Sequence, residues 1–234
     1  MKKKNYIAII PARGGSKRIK NKNIKIFCGK PIIAYSIQAA KKSKLFSRII
    51  VSTDSKRISR IAKKYGAEVP FIRPKKLSDD YTGTVEVIAH AVNLIKKSDL
   101  NIVGVCCIYP TAPFIEVNDL LDAHKIFKSG KWKSVFTATS YSYPVFRSFQ
   151  KNISGGLKML YPKLFNKRSQ DLNKVMHDAG QFCWAKPRDW SNKKLGFNNQ
   201  STVIELPSWR VQDIDTLADW KRAELKYKIL KYVK

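Results

Sequence analysis

The sequence predicts an α/β fold in which helices cover a doubly wound, mostly parallel sheet. In the first half of the chain, short apolar runs alternate with segments of helical periodicity, in βαβα order. The chain has 234 residues, of which 44% are hydrophobic, so it is long enough for one domain with a sizeable core. No run approaches the roughly 20 apolar residues that a bilayer crossing needs.

Each element of the first half follows from its own pattern. Apolar residues fill 6–11 and 102–108, which predicts two buried strands, and 48–52 is a third strand-like run. Pro31 suits the first position of a helix over 31–44, and Gly66 suits the end of a helix over 55–65. The other predicted elements are a strand over 68–72, a helix over 84–97, a helix over 116–129 and a strand over 134–139.

This regular pattern is interrupted between about 140 and 180. The pairs Tyr143-Pro144, Gly155-Gly156 and Tyr161-Pro162 separate short pieces, as in a hairpin or an arm that leaves the domain body. Strand patterns over 180–185 and 202–206 follow, and an amphipathic helix runs from 216 to about 230. We therefore expect a single domain over 1–234 with an arm inserted at about 140–180.

Composition limits the classes of function. The formal net charge is +29, but its lysines are spread over nearly every segment, whereas nucleic-acid readers usually cluster basic and aromatic residues. The charge fits a general preference for lysine or a field that attracts anionic substrates. Cys28, Cys106, Cys107 and Cys183 match no zinc or redox spacing, so we expect buried, reduced thiols in a cytoplasmic protein.

The loop after the first strand has the composition of a phosphate-binding site. Gly14-Gly15 permits a sharp turn whose N–H groups face one concavity, and Arg13, Lys17 and Lys22 add positive charge. Such a loop lies at the carboxyl end of a strand, where open α/β sheets bind ligands. The alternative is an ordinary solvated basic loop, because neither the Walker nor the dinucleotide-binding glycine spacing is present. The candidate phosphate-binding residues are Ala12, Arg13, Gly14, Gly15, Ser16, Lys17, Lys22 and Asn23.

Two acidic residues near the C-terminal end form the candidate metal site. In an extended segment, residues two apart face the same side, so Asp213 and Asp215 can both reach one or two Mg²⁺ ions. The alternative is a helix cap, because Thr216 followed by Asp219 is a capping pattern. The cap leaves Asp213 without an explanation.

Together these motifs resemble the acylneuraminate cytidylyltransferases, which implies a Rossmann-like fold of the nucleotidyltransferase type. The segment PARGGSKRIKNKN, at 11–23, is similar to the opening signature of that family, and the resemblance covers essentially the whole chain. Further blocks in the family's order lie at 49–54, 73–74, 110–113 and 213–216. The blocks at 27–31, 106–109, 168–171, 177–182 and 210–213 resemble the branch that activates pseudaminic acid.

The resemblance implies that the anomeric hydroxyl of a nonulosonic acid attacks the α-phosphorus of CTP and releases pyrophosphate. It implies that Arg13 and Lys17 act at the phosphates, and that Asp213 and Asp215 hold Mg²⁺ (or Mn²⁺). Arg73 and Thr84 would select cytosine, in a nucleotide-binding stretch that also includes Asp80 and Thr82. Thr82 or Thr84 can equally be an ordinary helix N-cap.

The resemblance also implies an acceptor pocket and a homodimer. Tyr109 stands where sialic-acid members carry glutamine, and Arg147 or Arg168 would grip the sugar carboxylate. The arm would mediate dimerisation and reach into the partner's site. The further acceptor candidates are Gln170, His177, Asp178 and Gln181. The product would serve synthesis of a surface glycan or of a flagellin sugar.

Two kinds of alternative remain open on the sequence. The first keeps the reaction but changes the acceptor to sialic, legionaminic or 3-deoxy-manno-octulosonic acid. The second is a basic nucleic-acid-binding protein, which leaves Asp213 and Asp215 unexplained. A membrane partner has no amphipathic anchor in its favour, so we expect neither a specific nucleic acid nor a membrane as partner.

Overall fold

The structure, a computed structural model, describes residues 5–97, 101–193 and 195–232. Its strands are β1 (Asn5–Pro11), β2 (Ile26–Phe27), β3 (Lys30–Pro31), β4 (Arg48–Ser52), β5 (Ile102–Ile108), β6 (Ser134–Ser140), β7 (Phe149–Lys151), β8 (Leu157–Met159), β9 (Met176–Ala185) and β10 (Ser201–Glu205). Its α-helices are α1 (Ile33–Ser43), α2 (Lys56–Lys64), α3 (Thr84–Ile95), α4 (Val117–Lys128), α5 (Pro187–Ser191) and α6 (Leu217–Tyr232).

The central sheet has six strands in the order β10-β6-β9-β5-β1-β4. The pairs β1–β4, β1–β5 and β10–β6 are parallel, whereas β9 is antiparallel to both of its neighbours. This confirms the predicted α/β fold with a mainly parallel sheet. Because the other five strands run the same way, their carboxyl ends form one edge, where open α/β sheets bind ligands.

Apolar layers cover both faces of the sheet. Alternate residues of β1 point to opposite sides, so Ile10 packs in one cluster with Ile37 of α1, and Ile9 packs in another with Ile88 of α3. Trp184 of β9 is also fully buried, among the side chains of the first cluster. Full burial of one such side chain contributes about 1.5–3 kcal/mol. The core therefore fixes the strand ends from which the functional loops leave.

Three predicted elements were wrong or misplaced. No strand forms over 68–72, where only the single bridges Ile50↔Glu68 and Thr53↔Ile72 occur. Pro70 interrupts that segment and has no N–H to donate to a ladder. Pro31 is not the first residue of a helix, because it pairs with Ile26 in the β2–β3 hairpin. The strand predicted at 180–185 begins four residues earlier, since Met176 already pairs with Ser140.

Of the arm predicted at about 140–180, residues 141–175 contribute no strand to the central sheet, whereas 176–180 belong to β9, so we use the name arm for 141–175. It contains short 3₁₀ turns and the β7–β8 hairpin, in which Phe149 is opposite Met159. Gly155 has φ 88° in the hairpin turn, a backbone conformation that favours glycine. Many of its apolar side chains are exposed, in contrast to those of the sheet.

Helix α6 ends the described chain and closes one side of the domain. Trp220 and Ala223 are buried, and the ring of Trp220 lies 5.5 Å from that of Phe27. Leu225 and Ile229 remain more than half exposed, so the predicted amphipathic pattern holds only in part. None of the helices among the described residues combines the length and the apolar character of a membrane crossing.

The four cysteines are free thiols. Cys106, Cys107 and Cys183 are buried in the sheet, as expected, whereas Cys28 is only partly buried. Burial raises the pKa of all four thiols, so they stay protonated.

Candidate active site

A cleft of about 550 Å³ opens at the carboxyl edge of the parallel strands. Its walls come from the loop after β1, from the segment between Arg73 and α3, from the residues that follow β5, and from Asp215. The predicted site residues that line it are Arg13, Ser16, Lys17, Lys22, Asn23, Arg73, Asp80, Thr82, Thr84, Tyr109 and Asp215. The fold therefore brings the basic loop near the start of the chain and one of the two aspartates near its end into one cavity.

The glycine turn of the basic loop is held by Asp54, which the sequence analysis did not single out as a site residue. The N–H of Gly14 donates to Asp54 Oδ1 at 2.8 Å. The expectation that this amide points into the cleft was therefore wrong. A Cβ on Gly14 would lie 3.1 Å from Cβ of Ser55, tighter than ordinary van der Waals contact. Asp54 lies two residues after the end of β4, and its place just beyond a strand end was the signal that could have identified it.

Ala12 and Asn23 fix the two ends of this loop rather than offering free groups. Ala12 is fully buried, and its N–H donates to the carbonyl of Ser52 at 2.9 Å. The Asn23 side chain is 6% exposed and donates through Nδ2 to the Arg13 carbonyl at 2.9 Å. The loop is thus pre-shaped, with its basic side chains left to line the cavity.

Asp80 forms ion pairs with two cations of the basic loop. Arg13 Nη2 lies 2.8 Å from Asp80 Oδ1, and Lys17 Nζ lies 2.5 Å from Asp80 Oδ2. Arg13 also donates to the carbonyl of Asp79. The hydrogen bond from Lys17 is the largest cause that lowers the pKa of Asp80. A carboxylate therefore occupies the place where these cations can hold an anionic ligand.

Asp215 is paired with two other cations of the same loop. Arg18 Nη2 lies 3.0 Å from Oδ2 and Lys22 Nζ lies 3.2 Å from Oδ1 of the carboxylate. Lys22 also donates to the carbonyl of Ile214 at 2.7 Å. Arg18 was not among the predicted site residues, although it belongs to the same basic motif. The contact between Lys22 and Asp215 joins residues that are 193 positions apart in the sequence.

Asp213 is exposed and does not line the cleft. Ile214 is 1% exposed between the two aspartates, as the alternation of an extended segment requires. The helix cap also forms, because Asp219 Oδ2 accepts from the Thr216 N–H at 2.8 Å and the Asp219 N–H donates to Thr216 Oγ1 at 3.2 Å. The cap accounts for Thr216 and Asp219 and leaves the Asp215 carboxylate at the cleft. Within the described ranges, no cluster of three or more acidic, histidine or cysteine side chains is arranged to hold a metal.

Arg73 supplies a buried donor to the cleft. Its side chain lines the cavity although the residue is only 3% exposed, and Nε donates to Ser78 Oγ at 3.1 Å. Nη2 has no hydrogen-bond partner among the described residues. Burial lowers the pKa of this guanidinium, which Asp54 partly opposes. An unsatisfied buried donor costs about 1–3 kcal/mol, so a ligand acceptor at this point would stabilise the site.

Neither Thr82 nor Thr84 caps α3. Gly83 occupies the N-cap position and offers no side-chain bond, so the capping alternative for Thr82 and Thr84 is wrong. Thr82 Oγ1 donates instead to Asp79 Oδ1 at 2.7 Å. The Thr84 side chain is a hydrogen-bond partner of the Tyr109 phenol. Both threonines thus shape the cleft.

Tyr109 marks the end of the cleft nearest to β9. Its N–H donates to the Gln181 carbonyl at 2.9 Å, and burial, followed by Cys107 and Asp178, raises the pKa of its phenol. The phenol therefore stays neutral and can donate a hydrogen bond. Gln181 is 3% exposed and its Nε2 donates to the Arg210 carbonyl at 2.8 Å, so its amide serves packing rather than lining the cleft.

Asp178 and His177 lie beyond Tyr109, at the start of β9. Asp178 Oδ1 accepts from the Gly180 N–H at 2.8 Å, and its carboxylate contributes to the raised pKa of Tyr109. The His177 ring is exposed and lies 4.8 Å from that of Tyr141. Neither residue lines the cleft itself.

The candidate residues of the arm lie apart from the cleft within one chain. Arg147 Nη2 donates to the Lys167 carbonyl at 3.1 Å, and Arg168 Nε lies 2.8 Å from Asp171 Oδ2. Both arginines and Gln170 are exposed, and none of the three lines the cavity. One chain therefore does not bring the arm's basic groups to the cleft.

Sequence comparison gives matches along most of the chain. Residues 7–148 match the family described as Cytidylyltransferase. The chain is 42% identical over 223 residues to the pseudaminic acid cytidylyltransferase of Campylobacter jejuni, covering 95% of this chain and 96% of that protein. It is 32% identical over 225 residues to the CMP-N,N'-diacetyllegionaminic acid synthase of Legionella pneumophila, covering 93% and 94%.

Solved structures share the fold at low sequence identity. CMP:2-keto-3-deoxy-manno-octonic acid synthetase, solved in complex with CTP, superposes with a TM-score of 0.68 at 13% identity, covering 94% of this chain and 97% of that one. The 4-diphosphocytidyl-2C-methyl-D-erythritol synthase of Anaerococcus prevotii gives a TM-score of 0.65 at 14% identity, covering 96% and 99%. Both are α/β enzymes whose names contain a cytidine-phosphate product, and the likeness establishes the architecture.

Proposed function

The chain belongs to the cytidylyltransferase family, and we propose that it transfers CMP from CTP to pseudaminic acid, a nonulosonic acid, with release of pyrophosphate. One observation carries the proposal: Arg13, Lys17, Arg73 and Asp215 line a single cleft at the carboxyl edge of the sheet. The acceptor is supported by the higher identity to a pseudaminic acid enzyme, 42%, than to a legionaminic acid enzyme, 32%.

The reaction needs alignment of two oxygens and neutralisation of the triphosphate more than covalent help. Arg13 and Lys17 would exchange Asp80 for the phosphates, because a triphosphate carries more negative charge than one carboxylate. Arg73 would use its unpaired Nη2 on the nucleotide. Thr84, already bonded to Tyr109, would stand between the nucleotide and the acceptor.

The acidic residues fit a Mg²⁺ or Mn²⁺ ion. Mg²⁺ is commonly held by one or two carboxylates together with substrate phosphates rather than by a full protein cage. Asp215 presents its carboxylate at the cleft next to the basic loop, paired only with long, movable side chains. We expect Asp215 to hold the ion and Asp213 to assist from the same extended segment. When bound, the ion supplies positive charge that stabilises the reacting phosphate.

The acceptor would enter at the Tyr109 end of the cleft. Tyr109 keeps its proton because burial raises the pKa of the phenol, so it can donate to a sugar oxygen. Asp178 acts on the Tyr109 phenol and would offer acceptor oxygens, and His177, its neighbour in β9, would offer a ring nitrogen. A cationic group for the sugar carboxylate is needed here, and within one chain Arg147 and Arg168 lie outside the cleft.

We therefore propose a homodimer in which the arm of one chain completes the acceptor pocket of the other. The exposed apolar side chains of the arm support this, because a surface of that kind usually marks a protein interface. Arg147 or Arg168 would then reach the sugar carboxylate from the partner.

A pyrophosphate-release assay with CTP and a panel of nonulosonic acids tests the function. We expect turnover with pseudaminic acid to exceed that with sialic and legionaminic acids, and to require CTP rather than UTP or ATP. Equal rates with sialic acid would refute the acceptor assignment, and absence of release with every acid would refute the activity.

A further inference from the structure

A second cavity, of about 450 Å³, lies outside the catalytic cleft. It is bounded by α1, by the segment 113–118 that leads into α4, and by the end of α6. Lys30, Lys42 and Lys231 line it together with Tyr35 and Tyr227, and we call it the lysine pocket. None of the candidate site residues of the catalytic cleft lines it.

The lysine pocket carries an excess of positive charge. Within the described part of the chain, Lys30, Lys42 and Lys231 form no ion pair with a carboxylate. Arg210 is a fourth cation of the lining, and it forms ion pairs with Asp119 and Glu116. Among the residues that the structure describes, the three lysines therefore form no ion pair, although they share one cavity in which Glu116 is the acidic residue of the lining.

Lys30 is the most enclosed of the three. Its Nζ lies 4.1 Å from the centroid of the Tyr35 ring and donates to Gln38 Oε1. Burial lowers the pKa of this ammonium, and the charges of Lys42 and Lys231 lower it further. The other two ammonium groups thus repel that of Lys30, and an anion bound among the three would relieve this repulsion.

Aromatic rings form the other part of the lining. The rings of Tyr35 and Tyr227 are 5.2 Å apart, and that of Phe114 is 6.1 Å from Tyr227. Such rings offer a face or an edge on which a ligand ring packs. The chemistry of the pocket therefore combines an anion site with an aromatic surface.

We propose that the lysine pocket binds a nucleoside phosphate at a site separate from catalysis. The phosphate would lie among Lys30, Lys42 and Lys231, and the base or sugar would pack against Tyr35 and Tyr227. A volume of about 450 Å³ lies within the range of about 300–1,000 Å³ for small-molecule sites. The proposal goes beyond the transfer of CMP and does not depend on it.

Calorimetric titration with AMP tests the site. The titration contains no CTP, because CTP is itself a nucleoside phosphate and would compete for the lysine pocket. A parallel titration of Lys17→Ala, a residue that lines the catalytic cleft and not the pocket, should give the same AMP affinity as the wild-type chain. We expect one saturable AMP site on the wild-type chain. The double variant Lys42→Ala/Lys231→Ala should bind AMP at least tenfold more weakly, because two of the three counter-charges are lost.

A matched pair of exposed lysines controls for general charge attraction. Lys63→Ala/Lys64→Ala, in the last turn of α2, removes the same charge outside the pocket and should leave AMP affinity unchanged. Absence of saturable binding, or equal weakening in both double variants, would overturn the proposal. Inorganic phosphate that binds as tightly as AMP would overturn the role of the aromatic rings.

The same variants separate this site from the proposed function. Lys42→Ala/Lys231→Ala should still release pyrophosphate from CTP and pseudaminic acid at the wild-type rate. If the wild-type chain releases none, the proposed function fails, but AMP titration without CTP still decides whether the pocket binds a nucleotide.

Discussion

The catalytic cleft and the arm differ in how far their side chains find partners within one chain. In the cleft, Arg13 and Lys17 are paired with Asp80, and Asp215 is paired with Arg18 and Lys22. In the arm, large apolar side chains face solvent: Tyr143 is 84% exposed, Ile153 109% and Leu157 67%. Exposed apolar area costs roughly 25 cal/mol per Å² relative to burial.

Under the proposed function, this difference separates the steps that would depend on one chain from those that would depend on two. The nucleotide half of the site is assembled and pre-shaped within a single fold. In the proposed homodimer the arm would supply basic groups to the acceptor, and within one chain its large apolar side chains are exposed. We therefore expect nucleotide binding to survive separation of the chains, and acceptor use to be lost with it.

The largest effect should come from the acidic side of the cleft. Asp215→Asn removes the carboxylate charge while keeping its shape, so we expect turnover to fall about 1,000-fold, within the range for loss of one electrostatic stabiliser. Pyrophosphate release measures the rate, and thermal unfolding followed by circular dichroism checks the fold. Asp122→Asn, an exposed carboxylate of α4 paired with Lys125, is the matched control and should keep normal turnover. Normal activity of the Asp215 variant at ordinary Mg²⁺ would refute its assignment.

Loss of a phosphate cation should have the next largest effect. Lys17→Ala leaves the loop backbone intact, because the Lys17 side chain is 79% exposed and pairs only with Asp80. We expect kcat/KM for CTP to fall about 100-fold, since one charge-assisted hydrogen bond to the phosphates is lost. Lys20→Ala, an exposed lysine of the same loop that does not line the cleft, serves as control. An equal effect of both variants would show that only the overall charge of the loop matters.

Charges placed on the arm test its role in the acceptor pocket. Phe149→Lys/Leu157→Lys should separate the proposed homodimer and lower kcat/KM for the acceptor about tenfold, while CTP affinity stays unchanged. Sedimentation velocity gives the oligomeric state, and calorimetry gives CTP affinity. Ile26→Lys is the control, because Ile26 and Phe149 are both 59% exposed but only Phe149 lies in the arm. A variant that is monomeric yet fully active would contradict a contribution in trans.

The smallest effect should come from Asp80, and its sign is informative. Asp80→Asn removes the carboxylate that competes with the phosphates for Arg13 and Lys17, so we expect KM for CTP to fall about threefold, or roughly 0.6 kcal/mol. Steady-state kinetics at fixed Mg²⁺ measures it. An increase in KM would mean instead that Asp80 contacts the nucleotide or its metal directly.

Much of the fold follows from local pattern. The apolar run at 102–108 predicted β5, and the strand-like run at 48–52 predicted β4, both with the bounds that the structure has. The strand predicted at 68–72 failed because Pro70 cannot donate a ladder hydrogen bond, which outweighed its apolar neighbours. The prediction that Pro31 begins a helix was wrong, because Pro31 pairs with Ile26 in the β2–β3 hairpin. The suitability of proline for the first helical position carries no information on such a contact.

The site was predictable in composition but not in pairing. The basic loop motif indicated Arg13 and Lys17, yet no local signal showed that Asp80 would neutralise both. Likewise Lys22 was expected at the phosphates, whereas its contact with Asp215 arises only when the two chain ends meet. Such contacts depend on the three-dimensional arrangement of distant segments, which spacing within a motif does not encode.

A crystal structure of the chain with CTP and Mn²⁺, without acceptor, tests the central claim most directly, because Mn²⁺ gives an anomalous signal. We expect the triphosphate against Arg13 and Lys17, the nucleotide in contact with Arg73, and the Mn²⁺ peak at the Asp215 carboxylate. A triphosphate bound elsewhere, or an Mn²⁺ peak with no contact to Asp215, would contradict the account.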